Sequence, residues 1–135
     1  MAKAQDKFTV LRGWVADAQV MLGVDSWELT IVEAASDVDA WADIDPHAQA
    51  PTADLRVSHD FWTQTPEKQR LILTHELLHL VLARYARVSE TMEESLGKLA
   101  WSVLEPQLED AEERATEHLA RIIAPYLSLP NFPKA

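Results

Sequence analysis

Leu71-Ile72-Leu73-Thr74-His75-Glu76-Leu77-Leu78-His79-Leu80-Val81-Leu82-Ala83 is apolar nearly all round, apart from three ionisable side chains in its middle. A run of this length and character reads as a buried helix. On a helix, residues four apart stand one above the other, so His75 and His79 aim their imidazoles from one face at a common point. Burying three ionisable groups in so apolar a segment without partners is costly. A divalent cation supplies the partner. Glu76, one position after the first imidazole, is then close enough to hydrogen-bond a water held by that cation, which makes it the natural general base.

The absence of cysteine among the 135 residues excludes disulfides, thiolate metal sites and thiol nucleophiles together. Any metal must be held by imidazole and carboxylate, and two imidazoles with one carboxylate most often hold Zn2+. Zinc on two histidines needs a third protein ligand and leaves the fourth position to water or substrate. The candidates are His118 and the carboxylates of the carboxy-terminal helices. Glu113 is preferred, because it belongs to Glu112-Glu113-Arg114-Ala115-Thr116-Glu117. Glu117 lies one turn further along the same face, where it can accept the free ring N–H of His75 or His79. Glu112 is the rival ligand, in register with the apolar Ala115 and Leu119. Glu109 is third.

His75-Glu76-Leu77-Leu78-His79, followed 34 residues later by Glu113-Arg114-Ala115-Thr116-Glu117, resembles the gluzincin metallopeptidases, in which a second helix supplies a glutamate in an E-x-x-x-D pattern. The small size is similar to the minimal single-domain metallopeptidases of phages and bacteria. Glu117 stands where that pattern has Asp. A third histidine and glycine soon after the motif, the mark of another zinc-protease group, is absent, since no histidine occurs from Leu80 to Ala100. The resemblance implies a zincin-like fold, a catalytic zinc and peptide hydrolysis.

Outward from the motif, Thr65-Pro66-Glu67 opens the central helix, with Thr65 as cap, Pro66 in the first turn and Glu67 near the positive end of the dipole. This helix is expected to end near Arg84 or Ala86. Before it, Asp6 to Leu22 carries Phe8, Leu11, Trp14, Val15, Ala18, Met21 and Leu22 at helical spacing, and Gly23 supplies a stop. Trp27 to Val32, Ala40 to Ile44 and Ala53 to Val57 read as three short strands. The strand nearest the motif in sequence is expected to be a free edge, to which an extended peptide can add. His47 and His59 fall in this region and are read as lying outside the site. After the central helix, Ser89 to Leu104 is expected to form a third helix on Met92, Leu96, Leu99, Ala100 and Val103. Pro106 is expected to start a fourth, reaching about Leu127 on Leu108, Ala111, Ala115, Leu119, Ile122, Ile123 and Tyr126. Pro130-Asn131-Phe132-Pro133 reads as an irregular tail. The fold class expected is α+β, as one zincin-like domain over residues 1–135.

The net charge of -10 excludes nucleic acid as a primary partner, because phosphate binding relies on clustered Lys and Arg. No amino-terminal leader and no apolar run of membrane-spanning length is read, so a cytoplasmic location and no membrane partner are expected. The oligomeric state is left open. The function expected is a zinc-dependent endopeptidase acting on a peptide or protein substrate, with Tyr85, His118 and Tyr126 as candidates for stabilising the oxyanion. The alternative is a zinc-stabilised module that binds a peptide or protein with little or no turnover.

Overall fold

The computed structural model describes residues 6–33, 40–47 and 51–134. Its first helix, α1 (Lys7–Leu22), begins where Asp6 accepts the N–H groups of Phe8 and Thr9. It ends at Gly23, whose φ of 72° lets its own N–H turn back onto the last carbonyls. Leu11, Trp14, Val15 and Ala18 bury one face. Met21, expected on that face, is 67% exposed.

Three strands follow, β1 (Glu28–Val32), β2 (Ala42–Pro46) and β3 (Thr52–Val57). They form a mixed sheet in the order β1-β3-β2, with β3 parallel to β1 and antiparallel to β2. The expected free edge is therefore corrected: β3, nearest the motif in sequence, is the central strand, and β2 is the edge that faces the helices of the motif. Ala53, Leu55 and Val57 explain the choice, since all three are buried under α1 and the central helix, and Ala53 and Leu55 pair on both sides. The opposite face of β3 is polar. There Asp43 takes the Arg56 guanidinium in a two-point ion pair, and the His47 ring bonds Thr52 and Asp54.

The bonds His47 N–H to Thr52 C=O and Ser58 N–H to Trp41 C=O, both 2.8 Å, fix which groups of β2 serve the ladder. Odd-numbered residues pair with β3. In an antiparallel ladder the alternate residues turn their backbone outward, so Ala42 and Ile44 present N–H and C=O to the far side, while Pro46 presents C=O alone.

The central helix, α2 (Pro66–Glu90), begins as expected, with the Thr65 hydroxyl accepting from Lys68 N–H. It runs further than expected, to Glu90. The next expectations are corrected as well. A single turn and a half, α3 (Met92–Leu96), ends at Gly97, and one long helix, α4 (Lys98–Ile123), passes straight through Pro106. Pro106 is exposed and has no N–H for the Ser102 carbonyl four residues back, and Gln107 Nε2 bonds the neighbouring Val103 carbonyl. Met92, Leu96, Leu99 and Val103, read as buried positions, are exposed, as are Leu119 and Ile122. The inward face of α4 is instead Trp101, Thr116 and Ala120. The tail is docked rather than loose. Arg70 and Trp14 donate to the carbonyls of Leu127 and Ser128, and Phe132 packs on Phe61 and Trp62. No helix among the described residues is long and apolar enough to cross a membrane.

Candidate metal centre

Helices α2 and α4 lie against one another, and the polar stripe between them is the site. Two fully buried threonines keep this contact slim: Thr74 and Thr116 each return their hydroxyl to the carbonyl four residues back, so neither brings an unpaired polar atom into the packing. On α2, His75 and His79 turn the same way, as their spacing requires. Their side chains are 14% and 16% exposed, and their Nε2 atoms are 3.3 Å apart.

From α4, Glu113 meets both rings. One carboxylate oxygen is 3.2 Å from His75 Nε2 and the other 2.9 Å from His79 Nε2. The opposite nitrogens face carboxylates too. Glu117 Oε2 is 2.7 Å from His75 Nδ1, and Glu112 Oε1 is 3.2 Å from His79 Nδ1. Carboxylates at both Nδ1 atoms fix the ring protons there and leave the two Nε2 lone pairs, with the Glu113 carboxylate, converging on one point.

Three lone-pair donors aimed at each other repel unless a cation lies among them. The spacing suits one: a tetrahedral ion with bonds of about 2.0–2.1 Å holds its donors about 3.3 Å apart. Among the described residues, His75, His79 and Glu113 are the group of His, Asp and Glu side chains whose ligand atoms come close enough to share a metal. The donor set therefore fits a divalent ion of the zinc type. Glu112 has a different place from the one its rivalry for the metal required, since it sits on the far side of the His79 ring. Glu109 lines a separate hollow with Tyr85 and Trp101.

Glu76 points from α2 toward the sheet rather than toward α4. The outward N–H of Ile44 on the β2 edge bonds its carboxylate. Burial, then the Glu113 and Asp43 charges, push its pKa up to about 8, and the Ile44 N–H works in the other direction. A cation held by Glu113 would cancel the second of these causes and favour the ionised form.

Two cavities flank this carboxylate, and both are lined by Ala42, Glu76 and Glu113. One, of about 500 Å3, runs along β2 to Pro46 and along α2 to Glu90. The other, of about 360 Å3, reaches Trp41, Lys68 and Leu71. Together they form a cleft floored by α2, walled by the β2 edge on one side and by α4 on the other.

No family model, curated protein or solved structure matches the chain.

Of the remaining sequence candidates, Tyr85 and Tyr126 line neither cavity, and both are largely exposed. His118 shares a shallow depression with His75, Glu113 and Glu117. His47 and His59 are exposed and away from the imidazole pair. Sequence reasoning missed the contribution of β2, whose Ile44 N–H and Ala42 backbone meet the site. An alternating pattern marks a strand, but it does not say which backbone edge stays open.

Proposed function

We propose that the chain is a zinc-dependent endopeptidase of zincin-like build, with Zn2+ held by His75, His79 and Glu113 and with Glu76 as general base. When bound, the metal supplies a water of lowered pKa and polarises the peptide carbonyl. Glu76 takes the proton of the attacking water on its carboxylate and passes it to the leaving amine. Glu117 and Glu112, at the two Nδ1 atoms, hold the imidazoles in the tautomer and orientation that leave Nε2 to the metal. A substrate strand is aligned by backbone pairing with Ala42 and with the Ile44 carbonyl on the edge of β2.

The observation that carries this reading is the position of Glu76. It lies at the junction of two cavities, beside the three converging donors and against an open strand edge. A structural metal site needs neither a cleft nor a carboxylate beside the donors that does not itself bind. The test is Glu76→Gln. The variant should take up zinc as the parent does and lose peptide hydrolysis by about 100-fold or more. Equal cleavage by both proteins removes Glu76 from the reaction. No cleavage of any peptide by the zinc-loaded parent leaves the domain a binding module.

A further inference from the structure

The charge lining the cleft changes sign across Glu76. The larger cavity carries Asp43, Asp45, Glu90 and Glu112 against Arg87, beyond the groups it shares with its neighbour. Asp43 is held by Arg56, and Glu112 faces His79, which leaves Asp45 and Glu90 with no hydrogen-bond or ion-pair partner among the described residues. Arg87 is engaged, donating to the His47 carbonyl. The smaller cavity carries Lys68 and Arg121 against Glu117. Arg121 is paired with that Glu117 at 2.9 Å, so Lys68 is the uncompensated charge. Its ammonium is held 4.1 Å over the Trp41 ring, at a mouth otherwise lined by Leu71 and Ile72.

Strand β2 gives this asymmetry a direction. Its start, at Ala42, belongs to the lysine end and its finish, at Pro46, to the carboxylate end. Antiparallel pairing is the more stable kind, and a strand that pairs so with β2 has its amino-terminal side at Pro46 and its carboxy-terminal side at Trp41. The charges favour the same orientation, since it brings the positive end of a peptide to Asp45 and Glu90 and the negative end to Lys68.

We infer that the cleft selects peptides by charge order: positive charge before the reacting bond, then an apolar residue, then a carboxylate. The inference rests on the peptide-cleft reading above and adds the substrate class. The positive and negative groups can come from Lys or Arg and Asp or Glu side chains, or from the free termini of a short peptide.

Two peptides of identical composition test it, one with lysines before and glutamates after a central Ala-Phe pair and the other with those charges exchanged. Each is made with free and with blocked termini. Their Kd is measured on the zinc-loaded Glu76→Gln protein, and kcat/KM on the parent. The matched order should bind about 10-fold more tightly at low salt, and the ratio should shrink as salt rises. Lys68→Glu combined with Asp45→Lys should reduce or invert the preference. Affinity that blocking the termini removes equally from both orders is assigned to the termini, and a preference that survives blocking is assigned to the side chains.

Equal affinity for the two orders that blocking the termini leaves unchanged, a preference for the exchanged order, or no binding of either overturns the inference. Cleavage of both orders at equal rates overturns it while the peptidase reading stands. Tighter binding of the matched order with no cleavage by the parent upholds the charge order and ends the peptidase reading.

Discussion

Glu117 bridges two groups of different kinds: one of its oxygens lies 2.7 Å from His75 Nδ1 and the other 2.9 Å from the Arg121 guanidinium. The extra methylene relative to aspartate is thus taken up in reaching the ring, and Arg121 limits the freedom of the longer side chain. Replacing Glu117 by Gln keeps the shape and removes the charge that makes His75 a stronger donor. Zinc affinity should fall by about 10- to 100-fold, as measured by competition with a chelating dye. Glu112→Gln should do the same through His79. Unchanged affinity in both variants would separate these carboxylates from the metal.

Glu113→Gln should weaken zinc binding more than either, because it removes a ligand and not the partner of one. Equilibrium dialysis followed by elemental analysis gives the ranking directly. A Glu113→Gln protein that holds zinc as well as Glu112→Gln does would reassign the third ligand.

The pH dependence of the metal-free protein follows from Glu76. Its folded pKa of about 8 lies above the ordinary 4.5, so between those values the folded chain keeps a proton that the unfolded chain has lost. Stability is then greatest below about pH 4.5 as far as this group is concerned, falls as pH rises, and is fully reduced above about pH 8. Glu76→Gln should flatten that window. Urea unfolding of chelator-treated protein at about pH 5, 6.5 and 8.5 measures it. A parent and variant with the same slope would show that Glu76 is ionised throughout.

Gly97 joins α3 to α4 with φ 82° and ψ 163°, a combination that residues with a Cβ rarely adopt. Nothing lies within 4 Å of the site of an added Cβ, so the cost of Gly97→Ala is conformational rather than steric. It should amount to about 1–3 kcal/mol, read from denaturant midpoints. A neutral substitution would mean that the junction relaxes without loss.

Phe132 closes an aromatic cluster with Phe61 and Trp62, with ring centroids 5.8 and 5.3 Å away. Phe132→Ala should lower stability by about 2 kcal/mol, below the range for a fully buried phenylalanine because the ring is partly exposed. Thermal unfolding checks this, and an unchanged midpoint would mark the docked tail as dispensable.

Much of this was legible in the chain, and the failures have specific causes. The helix carrying His75 and His79 could be read because its spacing and its Thr65-Pro66-Glu67 start agree. The convergence of Glu113 and Glu117 on those rings could be anticipated because four-residue spacing puts both on one face of α4. Pro106 misled, since its missing N–H suits a helix start, whereas α4 carries it in the interior at the cost of one backbone hydrogen bond. Leu99 and Val103 misled because the buried face of α4 near them is set by Trp101, which turns both of these apolar side chains outward. The order β1-β3-β2 was out of reach: a pattern of alternation assigns faces to a strand and says nothing of its neighbours.

Pro46 closes the β2 edge with a residue that has no N–H to offer. A protein that must leave strand backbone open for guests also risks recruiting further copies of itself. Here the register of accessible donors stops after Ile44, whose own N–H is already claimed by Glu76. Guest and fibril make different demands of such an edge: a short peptide needs a few bonds, whereas self-templated growth needs an unbroken row.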